Sequence, residues 1–544
     1  MNKRFALLAI VLVALGTVFG GLFGRMPARS SNGTEVTSER VSSEYFEALE
    51  LVNANYLGKA DPERIADSAM QSMLWTLDPH SSFFTREEFR KLDEEQSSQF
   101  YGIGVSILQH RDGVYVQSVV PGTPADKAGL RYGDRFVSVE GKDAKEWTSS
   151  EVSKNVRGEK GTPVRIQIDR VGSAKPLDIE LVRGGVPLPS IRNSFMLPDS
   201  VGYIGLTGGF QQTTSEELKS SIAELKKQGM KSLVLDLRGN PGGILEQAVQ
   251  VVSKFVPGGK TVVSVKASRT ASARDLKSYE GNFETFPLVV MINGGSASAS
   301  EIVAGAIQDY ARGLVIGSDS FGKGLVQRVF RLPYGNGLTL TTARYYTPFG
   351  RSLQRDYSNG SIYDYYSHLA DSADQDQSDI APKPIGNPVT MPDGRVLYGG
   401  RGIEPDIRVP AAGANPLRSR INEAAFFFVR QVVSGKVVGF ESYRTEKQTF
   451  RQNVTSGEFQ VSDRLLEAFR SFTVSDKANG LTIENMNSQI DHCKTRIREE
   501  LATANYSTEA GVQVLLESDP QILKALDSMA QAAKLTETAA VLRS

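Results

Sequence analysis

Leu233-Val234-Leu235-Asp236-Leu237-Arg238-Gly239-Asn240-Pro241-Gly242-Gly243 is the stretch on which the fold turns. Its first five residues are apolar except for Asp236. That is the pattern of a strand buried on both faces, as parallel sheets require. The glycine turn Gly239–Gly243 ends it, and Ile244, Ala248, Val251, Val252 and Phe255 then recur at helical spacing. The same unit appears once more: strand Leu288–Ile292, turn Asn293-Gly294-Gly295, and a helix from about Ser298 to Tyr310. Two strand–glycine turn–helix units predict an α/β layered domain over 184–350, with a site at the strand C-termini.

Outward from that core the texture changes. Residues 99–183 read as a compact β-rich unit. Tyr101-Gly102-Ile103-Gly104-Val105 opens a strand, Val114–Val116 is a second, and Val164–Ile168 alternates as a half-buried strand should. Residues 43–98 read as helices, with Phe46, Leu49, Val52 and Tyr56 at helical spacing, broken by Asp78-Pro79-His80-Ser81. Residues 355–400, rich in Asp, Ser, Gly and Tyr, read as a long surface excursion. Residues 413–544 read as a separate helical, amphipathic C-terminal unit.

At the other end, Lys3 and Arg4 precede an uncharged run from Phe5 to Gly24, closed by Arg25. Twenty apolar or small residues are enough to span a bilayer, and the basic flank keeps the N-terminus cytoplasmic while the rest is exported. A cleaved signal peptide is the competing reading. The run is long for one and no A-x-A site precedes Met26, so an uncleaved anchor at 1–24 with a polar tether at 25–42 is preferred. The expected location is a bacterial inner membrane with the rest of the chain in the periplasm or otherwise outside the cytoplasm.

The 544 residues carry 62 basic and 62 acidic side chains, which argues against a nucleic-acid binder, since such proteins show a basic face. The four histidines, His80, His110, His368 and His492, never fall at metal-ligand spacing. No metal or cofactor is expected. The single cysteine, Cys493, excludes an intramolecular disulfide; it adjoins His492, but neighbours on a helix point apart.

Three arrangements compete for the chemistry. Gly317–Lys323 fits the first seven positions of a phosphate loop, but Gly324 stands where a magnesium-binding Ser or Thr is needed. Ser320-Phe321-Gly322-Lys323 fits S-x-x-K, as in penicillin-binding enzymes, but the S-D-N and K-T-G partners are missing. The third pairs Ser298 with Lys323. Ser298 follows a strand and opens a helix among small residues, where a serine projects from a tight turn. A serine hydroxyl needs a base. A lysine serves if burial keeps it neutral against an ordinary pKa of about 10.4. In a strand, Lys323 and Gln327 share a face, so Gln327 can orient the amine. By spacing alone, a helix N-cap serine and a solvated lysine account for these residues equally well or better, since three serines alternate here.

From Tyr101 to about Pro410 the chain resembles the C-terminal processing peptidases, or tail-specific proteases. The resemblance rests on Leu77–Ser81, Tyr101–Gly104, Leu235–Gly243, Ser296–Glu301, Phe321–Gly324 with Gln327, and Thr341–Tyr346, in family order and spacing. It implies a multidomain α+β chain. A PDZ β-sandwich-like module (99–183) would be inserted between an N-terminal helical part (43–98) and an α/β layered, crotonase-like serine protease core (184–412), with helices after 413. It implies Ser298 as nucleophile, Lys323 as base and Gln327 as its orienter. It places the oxyanion hole at the backbone N–H groups of Ala299 and of the Asn240–Gly243 turn, at Gly242. Tyr101, Gly102, Ile103 and Gly104 resemble a PDZ carboxylate-binding loop that takes a peptide C-terminus with an apolar last residue. Tyr132 departs from the proline common before Gly133-Asp134, which alters a turn. Sequence leaves His80 open as a base; in the family that segment is structural.

The expected function is that of a serine endopeptidase cutting exported proteins near their C-termini by an acyl-enzyme route. Its partners are peptides with free C-termini and, through residues 5–24, a membrane; a homo-oligomer or an adaptor stays open. The alternative is a non-catalytic PDZ scaffold for exported proteins, which has no use for a buried neutral lysine beside a serine.

Overall fold

Ser232–Asp236 and Leu288–Ile292 lie parallel and adjacent at the centre of a six-stranded sheet, and every residue in both is buried. The computed structural model describes residues 37–267, 273–357, 385–413, 415–451 and 453–541. The sheet order is Asn193–Leu197, Val201–Gly205, Ser232–Asp236, Leu288–Ile292, Leu314–Gly317, Ile407–Arg408, antiparallel only at its first pair. Burial on both faces explains the unbroken apolar runs. One face carries the helices Thr214–Lys227, Leu245–Val252 and Ala299–Asp309, in a core that includes Leu218, Val251 and Ile307. The other face is covered from the far end of the chain, where Leu516, Ile522 and Ala532 pack on Phe195, Val289 and Ile316. Each large apolar side chain so buried contributes roughly 1.5–3 kcal/mol.

A second sheet lies in the same domain. Ser82–Phe84, Gly337–Tyr346, Thr261–Ala267 and Arg274–Lys277 are neighbours in that order, and Leu325–Arg331 pairs with Gly337–Tyr346. This sheet brings the Asp78–Ser81 turn and the Lys323–Gln327 segment to one place.

The β-rich unit has its own antiparallel sheet, two short helices and a core that includes Val116, Phe136 and Ile166. The chain enters and leaves it through a two-stranded stem, Gln99–Gly102 against Gly184–Pro187. The strand expected to open at Tyr101 is therefore split. Tyr101 and Gly102 belong to the stem, and the unit's first strand runs Val105–His110. Gly104 makes the break: its φ is +87°, and a Cβ there would lie 2.3 Å from the Thr123 side chain.

Residues after 413 go to two places. Helices Pro416–Val433, Asp463–Ser475 and Ile490–Asn505 build a core around Phe426, Phe469 and Ile497 that also takes in Tyr115 and Tyr132 of the β unit. Tyr132, noted in the sequence as a turn substitution, is buried and its hydroxyl donates to Glu500 at 2.7 Å. Helices Thr508–Leu516, Pro520–Asp527 and Met529–Val541 instead cover the protease sheet.

The described residues up to Ser72 form a unit of their own. Its helix Ser38–Asn55 buries no residue, and Phe46, Val52 and Tyr56 are exposed. The segment expected to cross a membrane, 5–24, and the tether up to residue 36 lie outside the described residues, as does 358–384 of the expected excursion. Among the described residues no helix is long and apolar enough to cross a membrane.

Candidate active site

The turn after Leu288–Ile292 is held from within. Asn293 Oδ1 accepts the Gly295 and Gly239 N–H groups at 3.0 and 2.9 Å, and Ser296 Oγ donates to the Leu237 carbonyl at 2.8 Å. Ser298 then takes φ +56°, ψ −111° immediately before the helix Ala299–Asp309. A serine at positive φ is strained by roughly 1–3 kcal/mol, and such conformers persist only where the surroundings over-determine them. Here Asn240 does so. Its carbonyl accepts the Ala297 N–H at 3.0 Å and the Ser300 hydroxyl at 2.9 Å, while its Nδ2 donates to the Leu206 carbonyl at 2.6 Å. A sharp strand-to-helix turn of this kind pushes a serine hydroxyl out of the sheet edge toward a substrate.

The two glycine turns predicted from sequence meet at this point. A Cβ on Gly242 would lie 2.7 Å from both Ser298 Cβ and the Ala297 carbonyl oxygen. Only glycine fits there. The Gly242 N–H, expected to face an oxyanion, donates instead to Asn240 Oδ1 at 2.9 Å. Among the described residues the Ala299 and Gly243 N–H groups have no acceptor within the protein.

Lys323 is joined to Ser298 through a residue that the sequence reading left out of the site. Glu301, fully buried, accepts at Oε2 from the Ser298 and Lys323 N–H groups, both at 2.8 Å, and at Oε1 from Gly322 N–H at 2.7 Å and Ser320 Oγ at 2.6 Å. Phe321 N–H goes to the Ser296 carbonyl, and Gly324 N–H to Gln354 Oε1 at 2.9 Å. Every backbone N–H from Ser320 to Gly324 thus has a partner, counting the Ser320 bond to Ile403. The loop is pinned, not solvated. Burial pushes the Glu301 carboxyl up, against the four donors that favour its charge. Burial likewise pushes the Lys323 ammonium below the usual lysine range, opposed by the charges of Glu301 and Asp78.

Lys323 and Gln327 reach one cavity, but not by simple alternation. The strand starts at Leu325, after Lys323, and a register shift falls between Val326 and Gln327. Gln327 Nε2 donates to Thr341 Oγ1 at 3.3 Å, and Thr341 Oγ1 to Asp78 Oδ1 at 3.0 Å. Asp78 also accepts the His80 and Ser81 N–H groups at 2.8 and 2.9 Å and the Ser81 hydroxyl at 2.7 Å. The Asp-Pro-His-Ser turn is a buttress behind the lysine. His80 is pushed down to about 4, first by burial and then by Lys323, so it is neutral at pH 7 and a weak base.

Ser298, Ala299, Gly243, Lys323, Gln327 and His80 all line a cavity of about 880 Å³. Among the described residues no hydrogen bond joins Ser298 Oγ to Lys323 Nζ; such contacts often close only when substrate is bound. The same cavity reaches the stem of the β unit through Phe100 and Arg157, whose guanidinium lies 4.2 Å over the Phe100 ring. Beside it, Tyr101 and Gly102 are fixed in the stem, while the Ile103 and Gly104 N–H groups have no acceptor among the described residues. Glu301 was the legible omission: Ser298-x-x-Glu301 is capping-box spacing. Asp78 and Thr341 offer no such local signal.

Residues 200–365 match the peptidase family S41 model and residues 102–181 the PDZ domain model. The carboxy-terminal-processing protease of Bartonella bacilliformis is 35% identical over 329 residues, 60% of this chain and 75% of that protein. The carboxy-terminal processing protease CtpA of Bacillus subtilis is 31% identical over 362 residues, 65% of this chain and 76% of that one. Among solved structures, the photosystem II D1 C-terminal processing protease is 27% identical, covering 69% of this chain and 94% of its own, with a TM-score of 0.34.

Proposed function

We propose that this chain, which belongs to the carboxy-terminal-processing proteases of peptidase family S41, cuts exported proteins near their C-termini with Ser298 as nucleophile and Lys323 as base. The observation that carries this reading is the strained Ser298 turn and the buried Lys323 loop hung on one carboxylate, Glu301, at one cavity. Neutral Lys323 takes the Ser298 proton as Oγ attacks the scissile carbonyl, and the protonated amine then gives that proton to the leaving amine. Water, activated by the same lysine, releases the acyl group. Gln327 orients the amine. The oxyanion is received by Ala299 N–H and by the glycine turn. With Gly242 N–H engaged by Asn240, Gly243 N–H is the turn's donor in this arrangement.

The PDZ domain supplies recruitment. Ile103 and Gly104 N–H receive a substrate's terminal carboxylate, and the cavity that extends from the stem to Ser298 gives the rest of the peptide a route to the nucleophile. Residues 5–24 anchor the chain in the membrane, with the protease outside the cytoplasm; the basic flank and the uncharged run support this.

The test is a set of purified variants on a peptide substrate. Ser298→Ala and Lys323→Ala each abolish hydrolysis with thermal unfolding unchanged. The double variant is no worse than either single one, because residues acting as a unit lose activity together. Activity surviving in Ser298→Ala moves the nucleophile elsewhere.

A further inference from the structure

Gln327 cannot do its work by position alone, because a side-chain amide has two chemically opposite ends. If its NH₂ faced the lysine, it would donate into the neutral amine's lone pair, the one needed for the serine proton, and would oppose the ammonium donor to donor. If its carbonyl oxygen faces the lysine, it accepts an N–H from Nζ and leaves the nitrogen lone pair for the serine proton. Something has to decide between the two.

The Gly337–Tyr346 strand places Thr341 directly across from Gln327. The Thr341 hydroxyl has one proton, and Asp78 Oδ1 takes it at 3.0 Å. A hydroxyl whose proton is committed to a carboxylate has only lone pairs to offer its other neighbour. Gln327 accordingly meets it with Nε2, at 3.3 Å. Thr341 is itself fixed: its N–H donates to Ser81 Oγ at 3.1 Å, and Ser81 Oγ donates back to Asp78 Oδ2 at 2.7 Å. Asp78 and Ser81 are buried, and both Asp78 oxygens are in use. We propose that Asp78 and Thr341 are positioning residues of this peptidase, which set the Gln327 amide with its carbonyl oxygen toward Lys323. This rests on the reading of Lys323 as the base.

Charged and titratable groups face Lys323 from each element around it: Glu301 on the helix after Ser298, and Asp78 and His80 on the turn before Ser82–Phe84. Arg355 stacks over the Phe321 ring of the lysine's own loop. Of these only Asp78 also carries the amide-orienting chain. Its charge favours the lysine's proton, so removing that charge lowers the pH below which the base is blocked.

The experiment uses the full chain with Thr341→Val, Thr341→Ser and Asp78→Asn, and reads kcat, KM and the pH profile of kcat/KM on one peptide. Thr341→Val keeps the shape and removes the hydroxyl that fixes the amide. Its kcat falls on the order of 10²-fold, the scale of a catalytic group misplaced by about an ångström, while KM stays within about twofold. Thr341→Ser, which keeps the hydroxyl, restores kcat. Asp78→Asn shifts the acid limb of kcat/KM to lower pH. An unchanged kcat in Thr341→Val, failure of the serine to rescue it, or an acid limb that stays put in Asp78→Asn overturns the proposal. Loss of the dyad reading shows differently: Lys323→Ala would keep its activity, whatever Thr341 does.

Discussion

Glu301 gives the sharpest handle on the site, because one buried carboxylate holds four donors at 2.6–2.8 Å. Three are backbone N–H groups with no freedom to turn, and the fourth is the Ser320 hydroxyl, which also accepts Ile403 N–H at 2.7 Å. Glu301→Ala strands the three N–H groups. A buried unsatisfied donor costs about 1–3 kcal/mol, so the loss is several kcal/mol, a large part of the 5–15 kcal/mol that stabilises a typical domain. Glu301→Gln is the more telling change. Its NH₂ can face Ser298 and Lys323, two fixed donors, or Ser320 and Gly322, of which the hydroxyl can rotate to accept. The second choice reverses the Ser320 bond, turning the hydroxyl proton away from Oε1, and sacrifices the Gly322 bond, worth about 1.5–3 kcal/mol to a charged acceptor. Relief of the buried charge offsets part of this, which leaves a net destabilisation of roughly 1–2 kcal/mol. Thermal and urea unfolding of the purified variants read it.

The same substitution changes the pH profile. The Glu301 charge holds the proton on Lys323 against burial. Without that charge the lysine loses its proton at lower pH, so the acid limb of kcat/KM moves down. The maximal kcat falls, because the Ser298 turn and the lysine loop have lost their common acceptor. A Glu301→Gln enzyme with unaltered stability, kcat and acid limb would refute the claim that this carboxylate joins the two halves of the site.

Four further outcomes are expected. Gly242→Ala, whose Cβ would lie 2.7 Å from Ser298 Cβ at a φ of +97°, abolishes peptide hydrolysis, and retention of more than a tenth of the activity would contradict the packing of the two turns. Amidating a substrate's C-terminus weakens its capture at Ile103 and Gly104 by roughly 1–3 kcal/mol, the worth of charged hydrogen bonds; equal kcat/KM for the amide and the free acid would leave the PDZ domain as a spacer. Glu500, beneath Tyr132, is pushed well above the carboxylate range by burial and by Glu499. A carboxyl raised on folding contributes stability at low pH that is lost as pH rises, so melting temperature falls between pH 6 and pH 8.5 and Glu500→Gln flattens that fall; a drop unaltered in the variant would place its origin elsewhere. Mass spectrometry of the mature protein finds residues 1–24 retained, and a start near residues 26–32 would make it a soluble exported enzyme instead.

What the sequence revealed follows from what burial does to composition. Strands covered on both faces must be apolar throughout, so Leu233–Leu237 and Leu288–Ile292 announced the parallel sheet. Turns that bring two backbones within van der Waals contact must be glycine, so Gly242 announced a close approach without naming its partner. Ser298 and Lys323 emerged as a pair only because no better base stood near and because the family motifs aligned. The same-face argument for Gln327 assumed an uninterrupted strand, and the shift between Val326 and Gln327 breaks that alternation. The Asp78–Thr341 bond spans 263 residues, and no periodicity reports a contact made across that distance.

Tyr132 shows the same limit at the scale of domains. As a residue in a glycine turn it reads as a local variation, yet its hydroxyl donates across 368 residues of sequence to Glu500, and its ring meets Phe426 at 5.2 Å. Arg430 reaches the Gly133 carbonyl at 2.6 Å beside it, and Gln448 Oε1 accepts the Val119 N–H at 3.2 Å. The helices that hold the PDZ domain in this way continue, after Asn505, into those that cover the protease sheet, where Asp519 receives Arg238 at 2.8 Å. Arg238 precedes the Gly239–Gly243 turn and is itself paired with Asp236 at 2.7 Å. One stretch of chain therefore grips the PDZ domain at one end and, at the other, the strand whose following turn packs on Ser298. A helical region that looked like a separate unit is instead a continuous covalent link between the PDZ domain and the protease sheet. Loosening its grip at Tyr132 should register at Ser298 through that link or through the Gln99–Gly102 stem.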